Sequence, residues 1–291
     1  MKDITMSQRL DERFFQSSRS LRSRSSLLRL VAVYDLLHLA DSWSITDLNS
    51  ATGRLQEIIN LLITFIDSGD VLARHKDPTV RAREAALSGL CSRFAGPPSE
   101  ERGQVVTIFD MPQFVPNYQW KAASLEPENP TVEVRVDFSD INLSHLRVSG
   151  VTLSRLLFQG ANLSYTEFDD ATANEANFSG ANLESTTFNG NFWRSSFEQS
   201  RATGLIVRGN MTKSSFIGCE LAFASFTGSN LEGCIFDGAN LDQADFTGAT
   251  CNLDTFDGAR VSGSTIFPDG SSIDKEGRDQ VMKRWPGVQV L

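Results

Sequence analysis

Phe236-Asp237-Gly238-Ala239-Asn240-Leu241-Asp242-Gln243-Ala244-Asp245-Phe246 carries a large apolar residue at every fifth position and a small one two places before it. That period is neither helical nor that of a simple strand. Working outward, the count continues from Phe138 to Ile266, and taking every fourth central residue separates it into columns. The first column is Phe138, Phe158, Phe178, Phe197, Phe216, Phe236 and Phe256, without exception. The second is Leu143, Leu163, Leu183, Ala202, Leu221, Leu241 and Val261, and the third Val148, Phe168, Phe188, Val207, Phe226, Phe246 and Ile266. The fourth is Leu153, Ala173, Phe192, Met211, Leu231 and Cys251.

Such segregation requires every fourth unit to stack on its predecessor, which predicts a solenoid with four short sides per coil. The 27 central positions make six to seven coils, about 30 Å tall at the ~4.8 Å spacing of adjacent strands. The small residues, among them Cys219, Ala224, Ser229, Cys234, Ala239 and Ala244, are expected to fill the interior, with Asp254 the one charged member of their class.

Ala161-Asn162-Leu163-Ser164, Ala181-Asn182-Leu183-Glu184 and Ala239-Asn240-Leu241-Asp242 resemble the units of pentapeptide-repeat proteins: a small residue, Asp or Asn, Leu or Phe, then two variable residues. The resemblance covers just under half the chain and implies a right-handed quadrilateral β-helix. It does not specify a function, because this repeat hosts many roles. Some members of the family resemble duplex DNA in size and charge and bind type II topoisomerases, and others carry transmembrane helices beside the repeats.

The whole chain divides into an α+β arrangement: a helical module over 1–95, a Pro-rich junction and N-terminal solenoid cap over 96–135, the β-helix over 136–267 and a C-terminal cap over 268–291. Ser25 to Leu39 predicts a helix whose apolar set, Leu27, Leu28, Leu30, Val31, Tyr34, Leu36 and Leu37, is wide enough to be buried on more than one side. Further helices are predicted from about Ser50 to Ile66 and from Asp77-Pro78 to Phe94. Asp77-Pro78-Thr79-Val80-Arg81 also resembles the second helix of a HEAT-type repeat, though one such unit cannot bury its own face. Residues 96–130 hold six of the nine prolines, with Val105 to Phe109 as one strand. Part of 103–136 is expected to cover the first coil's unpaired edge. Pro268-Asp269-Gly270 stops the repeats, and Ser272 to Trp285 predicts a capping helix with Ile273, Val281, Met282 and Trp285 as its contacts. The last residues, Val288 to Leu291, could pair with a partner, which leaves a homodimer open.

Residues 1–130 are nearly neutral, with 15 Lys or Arg against 16 Asp or Glu, while residues 131–270 carry 8 against 17. An acidic solenoid raises DNA mimicry toward gyrase or another DNA-binding protein, but a solvated acidic surface is the plainer reading. Among the first 24 residues, Arg9, Arg13, Arg19, Arg22 and Arg24 accompany Phe14 and Phe15. That arm could touch nucleic acid or lipid as part of a membrane-associated adaptor, or form the exposed face of a first helix. No membrane span, signal peptide or direct nucleic-acid contact is expected. The cysteines, Cys91, Cys219, Cys234 and Cys251, show neither a disulfide framework nor zinc spacing, and three of them occupy inward repeat positions, which points to a reducing, cytoplasmic setting.

His38, His75 and His145 lie in different predicted elements, and the recurrent glycines form no phosphate loop, so neither catalysis nor a cofactor or metal is expected. The reading is a bacterial-type, non-enzymatic interaction scaffold with an unknown protein partner. One irregularity stands out: the spacing along the first three columns runs 20, 20, 19, 19, 20, 20. Single residues are missing between Phe188 and Phe192 and between Val207 and Met211, which places two shortened corners on adjacent coils. Nearby, Trp193, Arg194, Arg201, Arg208 and Lys213 form a candidate interaction patch in an otherwise acidic segment. The alternative is that Trp193 turns inward in place of Phe192 and the arginines pair with neighbouring acids.

Overall fold

The computed structural model describes residues 6–46, 48–68, 78–94, 105–107, 133–135 and 137–291. Its contacts divide the chain into one unit drawn from residues before 137 and a second made chiefly of 137–291. The expected junction over 96–135 lies outside the described residues, apart from two short strands.

Among the described residues the first unit holds four helices, the three expected and the first helix offered as one reading of the basic arm: α1 (Met6–Ser20), α2 (Ser26–Thr46), α3 (Leu48–Asp67) and α4 (Pro78–Phe94). The basic arm folds as α1 because Leu10, Phe14, Ser17 and Leu21 recur at helical spacing and are buried. Its arginine-rich composition hides this short apolar stripe. Arg13 and Ser17 both donate to Asp35 of α2, and the Arg54 guanidinium lies 5.4 Å from the centroid of the Phe14 ring. Leu55, Ile58, Ile59, Leu62 and Ile66 of α3 and Val80, Ala86, Leu87 and Leu90 of α4 complete the core. Arg83 of α4 is buried too, and its Nε donates to the Ile66 carbonyl, 2.6 Å away at the end of α3. Burial lowers its pKa, opposed by the nearby Asp67 charge.

One expectation for this unit is corrected. Helix α2 buries Ala32, Val33, Leu36, Leu37, Leu39 and Ala40 but leaves Leu27, Leu28, Val31 and Tyr34 in solvent. The buried positions recur three and four residues apart, so the helices that touch α2 use one face, and the opposite apolar face is uncovered. A short antiparallel pair, β1 (Val105–Thr107) with β2 (Glu133–Arg135), also belongs to this unit.

The second unit is a parallel β-solenoid. Strands β3 (Arg147–Ser149), β4 (Glu167–Thr172), β5 (Thr187–Asn191) and β6 (Ile206–Asn210) pair in chain order, each one turn after the last, so this sheet alone records about three turns. Parallel bridges extend the register, as from Asn142 through Asn162, Asn182, Arg201, Glu220 and Asn240 to Arg260. In most units of five, Ser144, Ser154, Leu157 and Ser164 being buried exceptions in the first coils, the central residue is buried and its two neighbours are more exposed. The next residue turns the corner in the left-handed region, as at Tyr165 (φ 58) and Glu175 (φ 58). That conformation costs roughly 1 kcal/mol per non-glycine residue. It is held by tight turns such as Thr166 N to Leu163 O at 3.0 Å and by turn-to-turn bonds such as Tyr165 N to Glu184 O at 2.9 Å.

The interior follows the columns. Phe138, Phe158, Phe178, Phe197, Phe216 and Phe236 stack with near-parallel rings, centroid to centroid 5.3, 4.9, 5.1, 4.8 and 4.8 Å. Each such pair contributes about 0.5–1.5 kcal/mol beyond its buried area. The small inward residues are not merely fillers. Thr166, Thr186, Ser214 and Ser229 donate their hydroxyls to carbonyls of the preceding turn, at 2.7–3.0 Å. Cys219 and Cys234 do the same with their thiols, to Phe197 O at 2.7 Å and Met211 O at 2.9 Å.

Near the C-terminal end, several expectations shift by one place. Phe267 rather than Ile266 takes the inward position, because Ile266 pairs with Asp245, which leaves one extra residue after Val261. Asp254 is exposed and Thr255 is buried in its stead. An inward carboxylate would lose its hydration unpaired, whereas Thr255 Oγ1 accepts from Asn252 N at 3.0 Å. Cys251, at the start of this turn, is only half-buried. The single helix expected over Ser272–Trp285 is two, α5 (Ile273–Glu276) and α6 (Arg278–Arg284), broken where Gly277 adopts φ 84. Val281 and Trp285 are buried, with Trp285 stacked on Phe267 at 5.4 Å, while Ile273 and Met282 are half-buried. The last residues pair within the chain: β8 (Gln289–Val290) adds in parallel to β7 (Arg260–Val261) and covers the edge of that strand.

The inward thiols make stability depend on pH. Burial pushes Cys219 up from 9.0 to about 11 and Cys234 to about 12. A raised folded pKa favours the protonated thiol in the native state. Its stabilisation is therefore complete below pH 9.0 and lost as pH rises toward the folded values of about 11 and about 12. Urea denaturation across that window should show a falling midpoint, and the C219A/C234A variant should show a shallower fall. Equal slopes in the two proteins would refute the assignment.

Candidate functional site

The two shortened corners come together. In the turn before them, Phe168 and Ala173 are joined through Asp169, Asp170 and Ala171 with Thr172, and Asp170 (φ 51) is the left-handed corner residue. In β5 and β6 that residue is missing, and the register shifts between Phe168 and Ala171 to absorb the loss. Both strands then run straight through the corner, with Gly190 paired to Gly209 on adjacent turns. Each glycine has φ 142. A Cβ at Gly190 would lie 2.0 Å from Ala171 O, and one at Gly209 would lie 2.1 Å from Gly190 O. Only glycine permits this close approach of backbone to backbone.

Immediately after this flattened corner, Phe192 is buried, and Trp193 is half-buried on the outside. The inward alternative for Trp193 is therefore set aside. The Arg194 guanidinium lies 5.0 Å from the Trp193 ring centroid, a cation–π contact of about 0.5–1 kcal/mol at an exposed site. Arg155, Glu175, Arg194 and Lys213 occupy the same left-handed position on successive turns, with φ of 64, 58, 55 and 61. Glu175 thus sits between two cations, 3.2 Å from Arg155 Nε and 3.6 Å from an Arg194 terminal nitrogen. Beside them Asn210 Nδ2 donates to Asn191 Oδ1 at 2.9 Å.

Of the five patch residues named from sequence, the structure brings Trp193, Arg194 and Lys213 to one edge. Arg201 lies on another row, bridged between Asn182 and Glu220. Arg208 lies on β6 and is paired in register with Asn189, which itself donates to Asp169 at 2.7 Å. All but the half-buried Trp193 are exposed. Glu175 and Arg155 were missed because they lie about one and two turns away in sequence. The 19- and 20-residue register, applied to the corner position as well as to the core, would have found them.

Elsewhere, α2 and α4 line a cleft of about 320 Å³ that gathers Tyr34, His38, Asp41 and Ser88, residues not joined in the sequence reading. Among the described residues no group of His, Cys, Asp and Glu could hold a metal ion, and no helix is long and apolar enough to cross a membrane.

Compared with known proteins, the chain matches the family described as pentapeptide repeats in 8 copies, over residues 137–172, 153–190 and 210–252. A trypsin-treated form of QnrB1, a plasmid-mediated fluoroquinolone resistance protein, is similar at 16% identity over 53% of this chain and 77% of that one, with a TM-score of 0.35. HetL of Nostoc sp. strain PCC 7120, involved in heterocyst differentiation regulation, shares 20% identity over 47% of this chain and 74% of its own, with a TM-score of 0.19. A pentapeptide repeat protein of the Arabidopsis thaliana thylakoid lumen shares 21% over 50% and 88%, with a TM-score of 0.20. No curated protein matches the chain. At these identities none of the three says what this chain binds.

The flattened corner is testable by adding one methyl group. Gly190→Ala or Gly209→Ala should destabilise the solenoid by roughly 3 kcal/mol or more, because the clashing atoms are backbone. Gly228→Ala, at φ 69 with open space around it, should cost only about 1 kcal/mol. Urea denaturation of the three variants separates the cases, and equal losses would show that the corner is not closed in this way.

Proposed function

The chain is a pentapeptide-repeat protein over its solenoid, and on that footing we propose that it is a non-enzymatic protein-interaction scaffold. The rows of bridges and the stacked columns support a four-sided solenoid of six to seven coils. Residues 268–291 close its last turn through Trp285. Residues 1–95 form the accompanying helical module, joined through 96–135. Four free thiols support a cytoplasmic setting.

The observation that carries the reading is the edge at Trp193, Arg194 and Lys213. A half-buried indole under a guanidinium is the residue pairing that anchors many interfaces. It stands beside a corner whose backbone is flattened by two glycines, on a framework whose own core does not depend on the outward side chains. Arg201 and Arg208, on other rows, extend the basic surface around the same turns. A second reading, an acidic surface standing in for DNA toward gyrase or another DNA-binding protein, has its support in the 17 acidic against 8 basic residues of 131–270.

W193A/R194A should fold with a melting temperature within a few degrees of the parent, since surface ion pairs contribute about 1 kcal/mol or less. Crosslinking in a native lysate should then show adducts formed by the parent and lost in W193A/R194A. Adducts unchanged in the folded variant would move the site elsewhere. Gyrase supercoiling should proceed unaltered with the intact protein present, and inhibition would favour the second reading.

A further inference from the structure

We propose that the α1–α2 turn and the outer face of α2 dock on an anionic lipid surface. This inference stands on the helical unit alone and does not rest on the scaffold reading of the solenoid.

Leu27, Val31 and Tyr34 recur at helical spacing, and with Leu28 they are 68, 55, 60 and 50% exposed. Four large side chains on one helix face, uncovered over about 10 Å of its length, form a contiguous apolar patch of the kind that marks an interaction surface. The charges around it select the occupant. Arg19, Arg22 and Arg24 are exposed at the end of α1 and in the turn that leads into Leu27 and Leu28. Among the described residues none of these three joins an ion pair, whereas Arg13 is engaged by Asp35 and Arg54 by Asp11 and Glu57. Asp35, the acid of α2 next to Tyr34, is thus already paired with Arg13, Asp41 lies one turn or more beyond the patch, and positive charge is left at the Leu27 end where the apolar side chains are bare.

A basic turn beside an apolar helical stripe matches the boundary of an anionic bilayer. Leu27, Leu28 and Val31 enter the acyl region, Tyr34 sits with its hydroxyl at the headgroups, and the arginines reach lipid phosphates or carboxylates. Such a face differs from a spanning segment, because the opposite side of α2 remains packed on α1, α3 and α4. The apolar part of this surface was assigned to the interior when read from sequence, and of the two aromatics read as part of the arm Phe14 is buried and Phe15 exposed.

Flotation of the intact chain with phosphatidylcholine vesicles, with and without about one third phosphatidylserine, tests the assignment. The chain should float with the phosphatidylserine vesicles, remain behind with pure phosphatidylcholine, and be released as salt is raised. R19Q/R22Q/R24Q should bind on the order of a hundredfold more weakly, and L27S/L28S/V31S should also lose binding while keeping the helical circular dichroism of the parent. Flotation that ignores phosphatidylserine or salt would overturn the proposal without any variant. So would undiminished flotation of either folded variant. A chain that fails to float but sediments as a dimer, made monomeric by L27S/L28S/V31S, would assign the face to a second copy instead.

Discussion

Everything in the solenoid depends on one repeated distance, the step from a backbone turn to the turn above it. The hydrogen bonds that set the step, such as Phe178 N to Ser196 O at 2.7 Å and Phe197 N to Ser215 O at 2.8 Å, also set the separation of the side chains they carry. Phenylalanine rings stack at 4.8–5.3 Å along most of the first column because their backbones are held one strand spacing apart. The packing and the pairing are thus one constraint expressed twice. Ser, Thr and Cys suit the small inward class for the same reason, since each reaches a carbonyl of the previous turn.

That constraint also explains where the repeat can change. A residue can be removed only at a corner, and only if the backbone can close without the left-handed residue that normally turns it. Gly190 and Gly209 achieve this together, each stacked against the backbone of the turn before. One shortened turn beside a full-length one requires a register shift, seen between Phe168 and Ala171. A second shortened turn then pairs with the first without a further shift, and the corner edge carries Trp193 and Arg194 just beyond it. At the other end of the solenoid the opposite change occurs, an added residue that moves Phe267 inward.

The helical unit obeys a different rule. Its helices bury one face each against neighbours and have no fixed axial repeat, so periodicity shows that they are helices but not which apolar side is covered. Helix α2 is apolar nearly all round, a pattern that by itself reads as burial. The packing of α1, α3 and α4 leaves Leu27, Val31 and Tyr34 outside. Conversely, α1 is short of apolar residues, yet Leu10 and Phe14 fall on one helical stripe and are buried, with Arg13 paired to Asp35 and Arg54 lying over the Phe14 ring.

By itself the sequence determined the inward residue at nearly every step from Phe138 to Phe256, and the place of both shortened corners, because a period of five tied to a stack of turns leaves one register for the core. It also marked Trp193 and Arg194. Only the tertiary structure decided that Glu175 stands between Arg155 and Arg194, and that Arg201 and Arg208 lie on other rows, because contacts among outward side chains depend on which turn lies beneath them. It alone decided the fate of Asp254, Ile266 and the last four residues, where the repeat ends and the cost of a buried charge or an open edge outweighs the count.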